Sequence, residues 1–243
     1  MMMKTTMKRT DEEIPSGDRA LLRVSATLLF AGVAASFLIG IFHPSQQNPN
    51  DHQAVFAEYA SSSLWKAVHL GQFVGMALVI AGLLALFFAL DVPTRKRGWI
   101  ARFAAVSAVT ALALYGVLQA VDGVALKQAV DHWVNAPDAE KAARFASAEL
   151  VRWLEWGVRS YQELTLGLSL ILFGIAIFWM ARIPRPIGLL LGFSGLAYVV
   201  HGILLGYEGF SATGAMPQLA AYLFVIAAAV WLLISAWRPS RPL

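Results

Sequence analysis

Six apolar runs, each long enough to cross a lipid bilayer as a helix, limit what this chain can fold into. They cover residues 21–42, 68–90, 99–121, 156–181, 187–206 and 219–237. A hydrocarbon slab about 30 Å thick is crossed by roughly 20 residues of α-helix. Inside lipid every backbone N–H and C=O must find its partner within the element, so isolated runs of this length form helices rather than strands. The expected fold is all-α: a polytopic membrane protein with six transmembrane helices in a bundle. Composition agrees, with 58% hydrophobic and 14% charged residues, against about 25% charged in a soluble domain. The six runs leave no room for a soluble domain, and the absence of cysteine excludes disulfides, thiolate metal sites and cysteine nucleophiles.

The basic residues set an orientation, because lysine and arginine near helix ends are retained in the cytoplasm. Thirteen of the nineteen lie on one side: Lys4, Lys8, Arg9, Arg19, Arg23, Arg95, Lys96, Arg97, Arg102, Arg182, Arg185, Arg238 and Arg241. The expectation is a multi-pass protein of a bacterial-type cytoplasmic (inner) membrane, with cytoplasmic tails at 1–20 and 238–243 flanking a transmembrane domain over 21–237. The basic start and the small residues of "VAAS" resemble a signal peptide, but the apolar run continues to Phe42, so helix 1 is read as retained. The net charge of +4 lies in short juxtamembrane clusters rather than on one face. The partner implied is the lipid bilayer and not nucleic acid, with a homo-oligomer or a membrane partner left open.

On the opposite side, "HPSQQNPNDHQ" from His43 is a polar loop. Val55, Phe56, Tyr59 and Leu64 then suggest a short interfacial helix. The connection 122–155 carries Leu126, Val130, Trp133 and Val134 at helical spacing, and Pro137 with Asp138 ends one helix and starts another. The second runs on into the fourth apolar stretch; a helix over 139–181 would be about 65 Å long and project beyond the bilayer. These segments form an external helical cap. Trp65, Trp133, Trp153 and Trp156 mark the outer interface, and Trp99, Trp179 and Trp237 the inner one. An internal echo sets "YGVLQAVDG" (115–123) over "HGILLGYEG" (201–209), as a duplicated helical hairpin or convergent helix-end composition would.

Polar side chains gather at the outer ends of the helices. His69 and Gln72 open helix 2, Gln119 and Asp122 close helix 3, Arg159, Gln162 and Glu163 open helix 4, and His201 and Glu208 close helix 5. Ionisable groups within a membrane are costly and face a bundle interior or wet cavity, which makes these nine residues candidate ligand-binding groups. Asp122, Glu155 and Glu208 also suit a snorkelling, interfacial role. Arg159 and Glu163 have the four-residue spacing of a helical ion pair. His43, His69 and His201 offer imidazoles for zinc or iron, with Asp122, Glu163 and Glu208 nearby in depth. Haem would need axial histidines on facing helices, for which His69 and His201 are the candidates. No H-E-x-x-H, G-x-S-x-G, nucleotide-binding or dinucleotide motif is present. A polar path that stops halfway disfavours ion conduction. The expected function is a polar pocket open to the outer face, taking a small ligand, a metal or a quinone-like molecule. The alternatives are a metalloenzyme using Glu163 as acid or base, and an assembly partner acting through the cap.

Overall fold

A computed structural model describes residues 16–90, 98–180 and 183–238. Lys4, Lys8, Arg9, Arg95, Lys96, Arg97, Arg182 and Arg241 lie outside the described residues. All regular elements described are helical: α1 (Ser16–Gly40), α2 (His52–Ser61), α3 (Trp65–Ala89), α4 (Gly98–Gln119), α5 (Lys127–Val134), α6 (Asp138–Met180), α7 (Arg185–Glu208) and α8 (Ala212–Trp237). A π-helical turn, Ala120–Leu126, joins α4 to α5. Six of the helices are long and apolar enough to cross a membrane. The all-α, six-helix expectation holds.

The spanning helices close into a ring. α1 packs on α3, α3 on α4, α4 on α6, α6 on α7, α7 on α8, and α8 returns to α1. The terminal end of the ring is filled with apolar side chains, among them Leu83, Leu86, Ala104, Ala108, Phe173, Ile177, Ile187 and Leu232. Large apolar residues such as Phe37, Leu70, Phe88, Phe103 and Leu223 point outward, as they must when lipid is the solvent.

Lipid tails are as apolar as leucine, so helices gain little by burying apolar area against one another and associate instead through close packing and hydrogen bonds. Both are present. A Cβ on Gly167 would lie 2.6 Å from the Gly195 carbonyl oxygen, and one on Gly174 2.5 Å from that of Gly188, so α6 and α7 meet backbone to backbone. Gly32 and Gly82 set the same contact between α1 and α3. Four serine hydroxyls donate across helix pairs: Ser25 to Gly82 O (2.9 Å), Ser160 to Gly202 O (2.7 Å), Ser169 to Ala104 O (2.8 Å) and Ser194 to Ala221 O (2.8 Å).

The cap has its own small core of Val55, Phe56, Tyr59, Trp65, Leu126, Val130 and Ala148. The segment expected as an interfacial helix is helical, but Val55, Phe56 and Tyr59 face into this core and not into lipid. Trp65 is likewise buried and marks no interface. The third apolar run does not stop at 121, because the π turn carries it on to Val134. There Lys141 Nζ donates to the carbonyls of Trp133 (3.1 Å) and Val134 (2.7 Å). α8 starts at Ala212, before Pro217, rather than at 219; neighbouring elements of a bundle can absorb the backbone group a proline frees. The internal echo does not extend to packing. Its aligned glycines differ, since Gly202 lies against the Ser160 carbonyl and Gly116 only reaches the Phe73 ring at ordinary contact distance.

Candidate metal centre

His43 follows α1, His69 sits in the second turn of α3, and Asp122 lies in the π turn. One donor atom from each falls within 4.8 Å of the other two, the single such group of three among the described residues. The Nδ1 of His43 lies 2.8 Å from the Pro44 carbonyl, and that of His69 2.8 Å from the Trp65 carbonyl. A carbonyl only accepts, so in both rings the proton sits on Nδ1 and, in the neutral form, a lone pair on Nε2. His69 Nε2 stands 3.0 Å from Asp122 Oδ2, at an angle that makes no directed hydrogen bond, and Asp122 Oδ1 is buried without a partner. Burial holds the His43 imidazole below its ordinary value, against the pull of Asp122 in the other direction.

Local sequence explains the approach. A π turn inserts one residue into the helical repeat and re-aims the side chains around it, a device frequent at functional sites. Gly123 makes room, because a Cβ there would sit 2.6 Å from the His69 Cβ. Trp65 Nε1 donates to the Asp122 carbonyl at 3.0 Å, tying the turn to α3. The Trp65 ring also stands 5.2 Å from that of His43 and 4.4 Å from that of His69.

A second polar group lies along α6. Arg159 Nε donates to Glu163 Oε1 at 3.1 Å, and the other Glu163 oxygen meets His201 Nδ1 of α7. The helical ion pair read from spacing is thus formed. His201, a candidate third histidine, is held by Glu163 and faces Gly214 of α8, outside the His43–His69–Asp122 group. Gln119 and Gln162 are near these residues in depth, with Gln119 Oε1 and Gln162 Nε2 buried and unpartnered. Gln72 is half-buried one turn further along α3. Glu208 is exposed and accepts from Ser211 (2.8 Å) and Thr213, so it closes the end of α7.

Sequence reasoning missed Arg152 and misread Glu155 as interfacial. They form a 2.6 Å ion pair with both side chains almost wholly buried. Their three-residue spacing on one helix was the available signal. Around the site the carboxylates of Glu155 and Glu163 pair with the guanidinium groups of Arg152 and Arg159, and that of Asp122 faces His69. A shallow cleft of about 440 Å³ beside Ser62, Lys66 and Lys127 shares only Trp65 with these residues and lies on the cap surface.

No curated protein and no solved structure matches the chain. Residues 25–236, which run from within α1 to near the end of α8 and include the whole cap, match the family model described as a domain of unknown function, DUF4386, and the chain belongs to that family.

Proposed function

We propose that the protein is a metal-dependent integral membrane protein, holding a divalent transition ion between the Nε2 atoms of His43 and His69 and the Asp122 carboxylate. The observation that carries this reading is the pair of backbone carbonyls on the two Nδ1 atoms. A histidine ligand almost always donates its other N–H to such a partner, which fixes the tautomer and aims the ligating lone pair. The unpartnered Asp122 oxygen supports a cation there. Ligand atoms around tetrahedral zinc are about 3.3 Å apart, given bonds near 2.0–2.1 Å, so His69 and Asp122 at 3.0 Å stand close to their ligating separation, and a ring nitrogen of His43 lies within 4.8 Å of both. An N₂O set suits zinc first among the common ions. Three protein ligands leave one coordination position open, the arrangement of a catalytic rather than a structural zinc, so the metalloenzyme reading is favoured within this proposal.

The purified, detergent-solubilised protein, stripped with chelator and reloaded with zinc, is expected to keep close to one equivalent by elemental analysis. His69→Ala and Asp122→Asn lose it, while Lys66→Ala keeps it. Failure of the wild type to retain metal, or equal retention by His69→Ala, overturns the centre; the contact would then be an imidazolium–carboxylate pair.

The orientation proposed places the terminal end, with Arg19, Arg23, Arg102, Arg185 and Arg238, in the cytoplasm of a bacterial-type inner membrane, so that the metal centre opens outward. A reporter fused after Pro242 should be active only as a cytoplasmic reporter, and one inserted at Asp138 only outside. The reverse pattern would turn the site to the cytoplasm.

A further inference from the structure

The ring leaves a polar interior at its cap end that the metal donors do not use. Arg159 projects from α6 with its Nε on Glu163, and neither terminal nitrogen has a hydrogen-bond partner among the described residues. Its side chain keeps 23% exposure despite a position inside the ring. Tyr115 of α4, Tyr198 of α7 and Tyr222 of α8 are its electrostatic neighbours. Tyr115 and Tyr222 stand on α4 and α8, which are not among the helix pairs packed extensively against each other. Tyr198 and Tyr222 meet edge to face at 6.2 Å, and Tyr222 OH accepts from Gln218 Nε2 at 3.2 Å. The Tyr198 hydroxyl has no hydrogen-bond partner among the described residues, and Gln162 Nε2 is buried without one.

The unmet groups here are chiefly donors: two guanidinium nitrogens, a phenol and an amide. Inside a bundle an unpaired polar group is costly, and a guanidinium fork with phenolic donors matches the oxygens of a planar or tetrahedral anion. We propose that this chamber binds an oxyanion, carboxylate or phosphate, with Arg159 as its anchor and Tyr198 as a second donor. The site shares no residue with the metal donors and stands whether or not they hold an ion. Arg159 nonetheless lies within electrostatic reach of His43.

The test follows thermal unfolding of the purified protein. One arm adds inorganic phosphate or acetate in detergent. The other compares nanodiscs of phosphatidylcholine alone with nanodiscs containing phosphatidic acid. Stabilisation by the soluble anions identifies a free oxyanion; stabilisation by phosphatidic acid only identifies a lipid headgroup, and either supports the proposal. Tyr198→Phe, which removes one oxygen without disturbing the Arg159–Glu163 pair, and Arg159→Lys, which keeps charge but not the fork, should each weaken binding about tenfold. Arg159→Gln should abolish it, and if that variant fails to fold the other two decide. Lys66→Ala should bind as wild type. No stabilisation in either arm, or wild-type binding by both Tyr198→Phe and Arg159→Lys, overturns the proposal.

Discussion

Glu155→Gln is expected to cost about 3–5 kcal/mol of stability, read as a fall of about 10 °C in the unfolding midpoint in detergent. The Glu155 carboxylate stands 2.6 Å from Arg152 Nη1, and the two side chains are 1% and 3% exposed. Glutamine keeps the shape but not the charge, and leaves a guanidinium in low dielectric. Beyond α6, Arg152 meets the Pro49 carbonyl at 3.2 Å and the rings of Tyr59 and Phe210, 5.6 and 4.7 Å from its central carbon. Those contacts belong to the loop before α2, to α2 itself and to the loop before α8. One arginine therefore fastens three segments of the cap to α6, and its release should loosen them together. Two comparisons isolate the cause. The double variant Arg152→Met with Glu155→Leu, which removes both charges, should recover most of the loss, because well-packed apolar replacements of a buried pair are often neutral. Arg144→Ala breaks an ion pair whose side chains are 50% and 52% exposed, and should cost less than about 1 kcal/mol. A Glu155→Gln midpoint no lower than that of Arg144→Ala would show that the buried pair does not anchor the cap.

The spanning helices are legible in the sequence because the bilayer imposes one rule on all of them: an apolar run of fixed length must be a helix. The long α6 is legible for a related reason, since no breaker separates Asp138 from the fourth apolar run. What escapes reading depends on how two elements meet. Asp122–Gly123 looks like the polar end of a helix, yet it is the middle of a π turn that continues to Leu126, and only the fit of Gly123 against His69 gives the glycine its purpose. Trp65 has the composition of an interfacial anchor, but α2 folds over it and its indole is spent on the Asp122 carbonyl. Depth along the membrane could be counted from the sequence, and depth grouped His43, His69 and His201. Rotation about the ring could not be counted, and rotation sends His201 to Glu163 and brings His43 to His69 and Asp122. In the echoed segments, Asp122 meets a histidine from the opening turns of another helix, whereas His201 meets an acid of another helix. Two histidine–carboxylate pairs thus arise with the partners exchanged, which no residue-by-residue alignment would reveal.

The three glycines at 188, 192 and 195 read alike in the sequence, and substitution should separate them sharply. A Cβ on Gly195 would lie 2.5 Å from the Gly167 carbonyl oxygen and 2.8 Å from the Ile171 backbone nitrogen. Both obstacles are main chain, so no side-chain rotamer relieves them and α7 must move off α6. A Cβ on Gly192 meets nothing within 4 Å. Gly192→Ala should therefore keep or raise stability, by up to about 1 kcal/mol, since alanine suits a helix better than glycine. Gly195→Leu should lose about 3 kcal/mol or more, overpacking a contact that cannot relax. The consequences reach the polar chamber, because the same seam carries the Ser160 bond to the Gly202 carbonyl and, beside it, the Glu163–His201 pair. Displacement of α7 by even the width of a methyl group draws His201 away from its carboxylate and leaves a buried charge partly unpaired, adding to the packing loss. Unfolding midpoints of the two variants in one detergent test the contrast. Equal midpoints would mean that α6 and α7 are not held by backbone contact at Gly195, and that the close approach of these helices is dispensable to the bundle.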